Sequence, residues 1–192
     1  MNKWITTLAL ASVISVISLA DEANTFYGSL SDRVSSISAA RDAVLQEAVI
    51  AEVIISRNPH VTTHDALRYA KAFYEAHRET GTDIALMLAV AEAESRFNPA
   101  AISDAGARGL MQIMPLWADA RTFGFLSSST QLFNPETSIR AAAHILAQYA
   151  VQCGPEVQHI LACYHGGPRA RFRPAAVTVN YIRDVKQRMV SI

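Results

Sequence analysis

Two carboxylates stand two residues apart at the end of an unusually apolar segment. The run Ile84-Ala-Leu-Met-Leu-Ala-Val-Ala91 leads into Glu92-Ala-Glu-Ser-Arg-Phe-Asn-Pro99. Thr82 or Asp83 can start a helix there, and Asn98-Pro99 stops it near Phe97. A soluble helix that is apolar nearly all round lies in the middle of its domain. This one is too short, and too acidic at its end, to span a membrane. An acid in that place is pushed toward its neutral form by burial and by the negative end of the helix dipole. A carboxyl that keeps its proton near neutral pH is the donor that a glycosidic oxygen needs.

Periodicity does not separate Glu92 from Glu94, because both faces of the helix are apolar. Glu92 precedes Arg96 by four residues, the favourable order for a surface ion pair. Glu94 shares a stripe with Met87, Val90 and Ala91 and has no evident partner, and an unpaired buried acid needs a reason such as catalysis. The other reading, in which both are solvated helix-end carboxylates, stays open on the helix alone.

The elements around this helix are legible at low resolution. Residues 21–40 are rich in Ser and small residues and read as a loose lead-in or a frayed helix, and 41–57 as a helix closed by Asn58-Pro59. Thr63 reads as the N-cap of a helix to about Glu79, with Gly81 as its stop. Residues 100–116 are Gly-rich and irregular, with a short strand or helix near 110–114. Further helices are expected near 137–152, 156–164 and 175–189. The sum is one mainly α domain over 61–192, after a lead-in and helix over 21–60.

Composition narrows the function. The chain has 192 residues, with 17 Lys plus Arg against 17 Asp plus Glu, so it has no basic excess of the kind nucleic-acid binding needs. The six His make no metal-ligand spacing, and no metal or cofactor is expected. Lys3, the apolar stretch Trp4 to Leu19 and the small residues Ser18 and Ala20 form the pattern of a cleaved secretory signal over 1–20, leaving no stable membrane span. An exported chain is periplasmic or secreted and permits a disulfide. Cys153 and Cys163 lie across the Gly154-Pro155 break, at the end of one helix and well inside the next. That placement leaves both a bridge and two separate thiols open.

The stretch from Ala93-Glu-Ser-Arg-Phe-Asn-Pro to Gly106-Ala-Arg-Gly-Leu-Met-Gln-Ile-Met-Pro115 resembles the soluble lytic transglycosylase family, whose pattern is Glu-Ser-x-Phe-x-Pro followed by Gly-Ala-x-Gly-Leu-Met-Gln-Ile-Met-Pro. Asn134-Pro-Glu-Thr-Ser-Ile, Ala162-Cys-Tyr-His-Gly-Gly-Pro168 and Tyr181-Ile-Arg-Asp-Val are similar to later family segments, so the resemblance runs from about 82 to 189. It implies a lysozyme-like α fold, with room for a very small β element beside the active site, and a groove for peptidoglycan glycan strands. It implies that Glu94 is the single catalytic acid and base, cutting between N-acetylmuramic acid and N-acetylglucosamine and closing a 1,6-anhydro ring. An ordinary retaining glycosidase would want a second carboxylate about 5 Å away.

The resemblance also places Gln112 on the groove, its amide able to donate and accept, and Tyr164 beside Glu94, with a hydroxyl that orients the acid. Ser95, Met111 and Tyr181 complete the expected substrate side, although Ser95 equally suits finishing the helix, Met111 core or groove wall, and Tyr181 simple packing. The chain departs from the family pattern at His165, where Asn is common, and at Val177-Thr178-Val179, where Glu-Thr-Arg is frequent. The loop Arg169-Ala-Arg-Phe-Arg173 is locally basic. Two other functions fit the same fold: a goose-type-lysozyme-like hydrolase and a non-catalytic wall-binding module. A small free-standing domain of this kind suits a secretion, conjugation or pilus machine as its partner.

Overall fold

The computed structural model describes residues 3–119 and 122–192, and side chains outside 1–23, 26 and 119–121. The chain divides into two compact units, Met1–Leu45 and Gln46–Ile192. The side chains of the expected 1–20 leader therefore lie outside the described residues. Among the described residues, no helix is long and apolar enough to cross a membrane.

Of the two readings for 21–40, a loose lead-in and a frayed helix, the helical one holds, and the helix is continuous. Helix α1 runs Lys3–Arg57 without interruption. No Pro occurs before Pro59, and Ala, Leu and Arg, good helix formers, are spread through the Ser-rich stretch. The described residues of the first unit all belong to this helix. In the second unit, Ile50, Ala51 and Ile54 near the end of α1 are buried.

Helix α2, Thr63–Thr80, is capped one residue earlier than expected, by Thr62, whose side chain accepts from the Asp65 amide. It ends at Gly81, whose φ of 73° is a left-handed conformation that glycine adopts without strain. Its buried side is Ala66, Tyr69, Ala70, Phe73 and Ala76. Helix α3, Ile84–Ser95, is capped by Asp83 and buried continuously from Leu86 to Glu92. Helix α4, Leu116–Asp119, is a single turn, and Ser129–Phe133 forms a 3-10 turn behind a Ser128–Gln131 capping box. Helix α5, Pro135–Cys153, starts with Pro at its first position and is capped by Asn134. Helix α6, Val157–Gly166, is followed by a 3-10 turn, Pro168–Arg171, and by helix α7, Ala176–Val190.

Helix α2 packs on α5, α5 on α6, and α7 on both α3 and α6. The fully buried Phe73, Met87, Leu88, Ile139 and Leu146 lie in one core, each contributing roughly 1.5–3 kcal/mol by its removal from water. A disulfide joins Cys153 to Cys163 with a Cα–Cα distance of 6.7 Å. The turn after Gly154 lays α6 back against α5 within bridging distance, which settles the question that spacing left open. The β content among the described residues is two isolated antiparallel bridges, Ile102 with Arg108 and Arg108 with Ile113.

Candidate active site

The end of α3 is built by an abrupt change of backbone. Arg96 and Phe97 both take left-handed conformations, with φ of 53° and 61°. Two such non-glycine residues in succession carry strain of the order of 1–3 kcal/mol each. Local contacts hold them there. Phe97 is fully buried, and the Asn58 side-chain amide donates to the Arg96 carbonyl at 2.7 Å. Ser95 Oγ donates to the Leu110 carbonyl at 2.6 Å and accepts from the Asn98 amide at 3.1 Å. The helix thus stops one residue after Glu94, and the following loop is fastened to its end.

Glu94 is half-buried, and Tyr181 Oη donates to its Oε1 at 2.7 Å. Burial raises the Glu94 carboxyl from its ordinary 4.5 to about 7, against the opposing pull of the Tyr181 hydrogen bond. Burial and the nearby Glu94 push the Tyr181 phenol well up, so it remains a donor. The Tyr181 ring lies 4.4 Å from the His165 ring with a 30° tilt, and His165 Nδ1 is 3.1 Å from Thr178 Oγ1. Burial lowers the His165 imidazole below its ordinary value.

The Glu92–Arg96 pair suggested by spacing does not form. Arg96 sits in the helix-terminating turn. Glu92 pairs instead with Arg188 from α7, and its Oε2 lies 3.9 Å from Arg57 Nε of α1. Nothing in the spacing of Arg57 or Arg188 announces this, since both partners are distant in sequence.

The loop after α3 makes a tight corner of the two bridges. Gly109 has φ of 77°, and a Cβ there would lie 1.8 Å from the Leu132 carbonyl oxygen, so only glycine fits. The Met111 amide donates to Ser138 Oγ, and the Met111 carbonyl accepts from Tyr164 Oη at 2.8 Å. Gln112 Nε2 donates to the carbonyls of Ala101 at 3.1 Å and Gly109 at 3.0 Å.

These contacts revise several expected roles. Burial and the charge of the nearby Glu94 push the Tyr164 phenol well up, but Tyr164 makes no hydrogen bond to the acid. Its hydroxyl fixes the Met111 carbonyl, and Tyr181, expected to line the groove or pack, makes the bond to Glu94. The turn by which α7 presents each side chain is not readable from sequence. The Met111 side chain is fully buried, in keeping with its reading as core. The Ser95 hydroxyl is engaged in closing the helix end. The Gln112 amide donors are used internally, leaving its Oε1 as the acceptor without a partner among the described residues. Thr178, not singled out as a site residue, proves to be the support of His165. Among the described residues, no group of three or more His, Cys, Asp or Glu is placed to hold a metal ion.

Residues 71–178, more than half of the chain, match the Transglycosylase SLT domain family. The chain is 35% identical over 104 residues to the membrane-bound lytic murein transglycosylase C of Klebsiella pneumoniae (strain 342), covering 52% of this chain and 29% of that protein. It is 38% identical over 86 residues to the protein of the same name from Mannheimia succiniciproducens, covering 42% of this chain and 24% of that one. The chain therefore spans less than a third of the length of these relatives. Among solved structures, an inactive glutamate-to-glutamine mutant of a lytic transglycosylase from Pseudomonas aeruginosa superposes with a TM-score of 0.59 at 24% identity, over 76% of this chain and 29% of its own. The 70 kDa soluble lytic transglycosylase of Escherichia coli gives the same TM-score of 0.59 and 24% identity, over 74% of this chain and 29% of its own. The mainly α, lysozyme-like fold expected from the sequence is the fold these structures share. With its fold, its motif and the match over residues 71–178 in agreement, the chain belongs to the transglycosylase SLT domain family.

Proposed function

We propose that the chain is a peptidoglycan lytic transglycosylase in which Glu94 serves as both acid and base. The observation that carries this reading is a half-buried carboxyl, raised to about 7, with a single phenol as its partner. Tyr181 occupies Oε1, and Oε2 has no partner among the described residues, so the proton sits on the oxygen that can offer it. Glu94 Oε2 gives that proton to the bridging oxygen as the bond from C1 of N-acetylmuramic acid breaks. The resulting carboxylate, steadied by the Tyr181 hydroxyl, takes the proton of the sugar's own 6-hydroxyl, and the C1–O6 bond closes the anhydro ring. No water is consumed, and the acid is restored to its starting state. A pKa near neutrality serves both halves of this cycle, and an aligned internal hydroxyl has a high effective molarity.

The curated relatives are named lytic murein transglycosylases, and one related solved structure is an inactive glutamate-to-glutamine mutant. Gln112 Oε1 is the acceptor we assign to the sugar. The 61–192 region would be the catalytic domain, and export by the 1–20 segment would bring it to its substrate in the periplasm or outside the cell. Local opening of the wall for a secretion, conjugation or pilus machine is the process we propose for it.

Digestion of purified sacculi with mass spectrometry of the products tests the reaction. Anhydro-muropeptides, one water lighter than hydrolytic products, are expected from the native chain and are expected to vanish with Glu94→Gln. Reducing-end products would make the enzyme a hydrolase, and wall binding without cleavage would make it a binding module.

A further inference from the structure

The chain is neutral overall, yet no Asp or Glu occurs between Glu156 and Asp184, while Arg169, Arg171, Arg173 and Arg183 all fall there. The structure concentrates part of this imbalance in one place. The turn Pro168–Arg171 folds back on the end of α6, and Gly166 makes this possible, since a Cβ there would lie 2.7 Å from the Ala170 Cβ. The result is a cleft of about 490 Å³ lined by Gly166, Ala170, Ala175 and Thr178, with Ala170 and Thr178 buried at its floor, and by the exposed Arg169, Phe172 and Arg173.

The large exposed side chains are not equivalent. Arg171, just outside the cleft, donates to the Gln152 carbonyl at 3.1 Å and lies 4.5 Å over the Phe172 ring, so it props that ring in place. Phe172 is nonetheless 74% exposed. Arg169 and Arg173 make no ion pair and no side-chain hydrogen bond among the described residues, so both guanidinium groups present their donors outward. The cleft adjoins the active site. Thr178 in its floor is the residue that bonds His165, and it precedes Tyr181 by three residues, roughly 4.5 Å along α7.

We infer that this cleft binds the carboxylate-bearing, alanine-containing peptide stems carried by the glycan strand, with Arg169 and Arg173 on the carboxylates and Phe172 and the small floor against the methyl groups. The guanidinium fork matches a carboxylate in two parallel hydrogen bonds. A lining of Gly, Ala and Thr admits a short, small-residue peptide, and an exposed aromatic beside it marks a contact surface. The inference rests on the transglycosylase reading for its choice of substrate, and it makes the stem a determinant of which strands are held beside Glu94.

The test measures binding without turnover. The full chain carrying Glu94→Gln is sedimented with intact sacculi and with glycan strands stripped of their stems by an amidase, with and without Arg169→Gln plus Arg173→Gln. The double substitution removes two charge-assisted contacts and is expected to weaken retention on intact sacculi by about a hundredfold, roughly tenfold for each. On stripped strands it should change retention less than twofold. The pair Arg169→Lys plus Arg173→Lys keeps the charge and should recover part of the retention, which a folding defect would not allow. Equal weakening on both substrates would overturn the inference in favour of contacts to the sugars, and unchanged or absent retention on intact sacculi would overturn it outright. Failure of the transglycosylase reading is seen separately, as a native chain that releases no anhydro products from sacculi it binds.

Discussion

Two glutamates of the same helical domain show how far local partners can drive one chemical group. Glu79, near the end of α2, receives two hydrogen bonds from the Arg140 guanidinium at 2.7 Å each and a contact from His144 Nε2 at 3.1 Å. The Arg140 hydrogen bonds, with help from His144, lower its carboxyl to about 2, although partial burial opposes them. Glu94, near the end of α3, has a phenol in place of the cations and a larger desolvation, and it sits at about 7. The first is a surface tie between α2 and α5. The second keeps a movable proton at neutral pH. Placement at a helix end is common to both, so the difference comes from what the neighbouring helix supplies: Arg and His from α5, Tyr from α7.

The strongest way to break this contrast is Glu94→Gln. Removal of the acid should reduce cleavage by about 10³-fold or more, read from muropeptide release. The same variant should be more stable than the native chain at pH 8. The folded state holds the Glu94 proton up to about pH 7, while the unfolded chain releases it near 4.5, so native stability falls as pH rises through that interval. The lost stability is of order 1–3 kcal/mol, and thermal melting at pH 4 and pH 8 should show the variant's gain only at the higher pH.

Glu92→Gln tests the neighbour on the same helix. It leaves Arg188 and Arg57 without their shared carboxylate at a nearly buried position, which should cost about 1–3 kcal/mol in denaturant unfolding while anhydro product continues to form. Tyr181→Phe sharpens the account of Glu94 itself. Loss of the hydroxyl removes the bond that favours the carboxylate, so the alkaline limb of kcat/KM should move upward and the rate should fall by about tenfold. The smallest effect belongs to Glu79→Gln. Its pair with Arg140 is exposed and should contribute only about 0.5–1 kcal/mol. That contribution is complete above pH 4.5 and fades as pH falls toward 2, so the variant should flatten acid unfolding and leave the pH–activity profile unchanged.

The sequence made the helical frame legible because its punctuation is chemical. Asn58-Pro59, Gly81 and Gly154-Pro155 each stand where a helix ends, while Asn98-Pro99 lies a few residues beyond the end of α3 at Ser95. The continuous α1 was not legible, because a Ser-rich stretch has weak apolar periodicity and only the lack of a breaker argued for helix. At the site, the motif pointed to Glu94 through resemblance, while spacing alone left Glu92 as a rival. That Tyr181 makes the hydrogen bond to Glu94 was out of reach, since it lies on a helix whose rotation is set by packing with distant elements. Gln112 illustrates the same limit. Its type suggested donors for a ligand, but a left-handed backbone with φ of 50° turns its amide onto its own loop.

The disulfide has a consequence in time as well as in space. Cys163 immediately precedes Tyr164, so the bridge to Cys153 anchors the part of α6 that fixes the Met111 carbonyl. A bridge closing so short a loop adds roughly 2–3 kcal/mol, and only where the surroundings are oxidising. In reducing surroundings this corner rests on packing alone. Oxidation of the two thiols is the step that tightens the end of α6 against the Met111 loop.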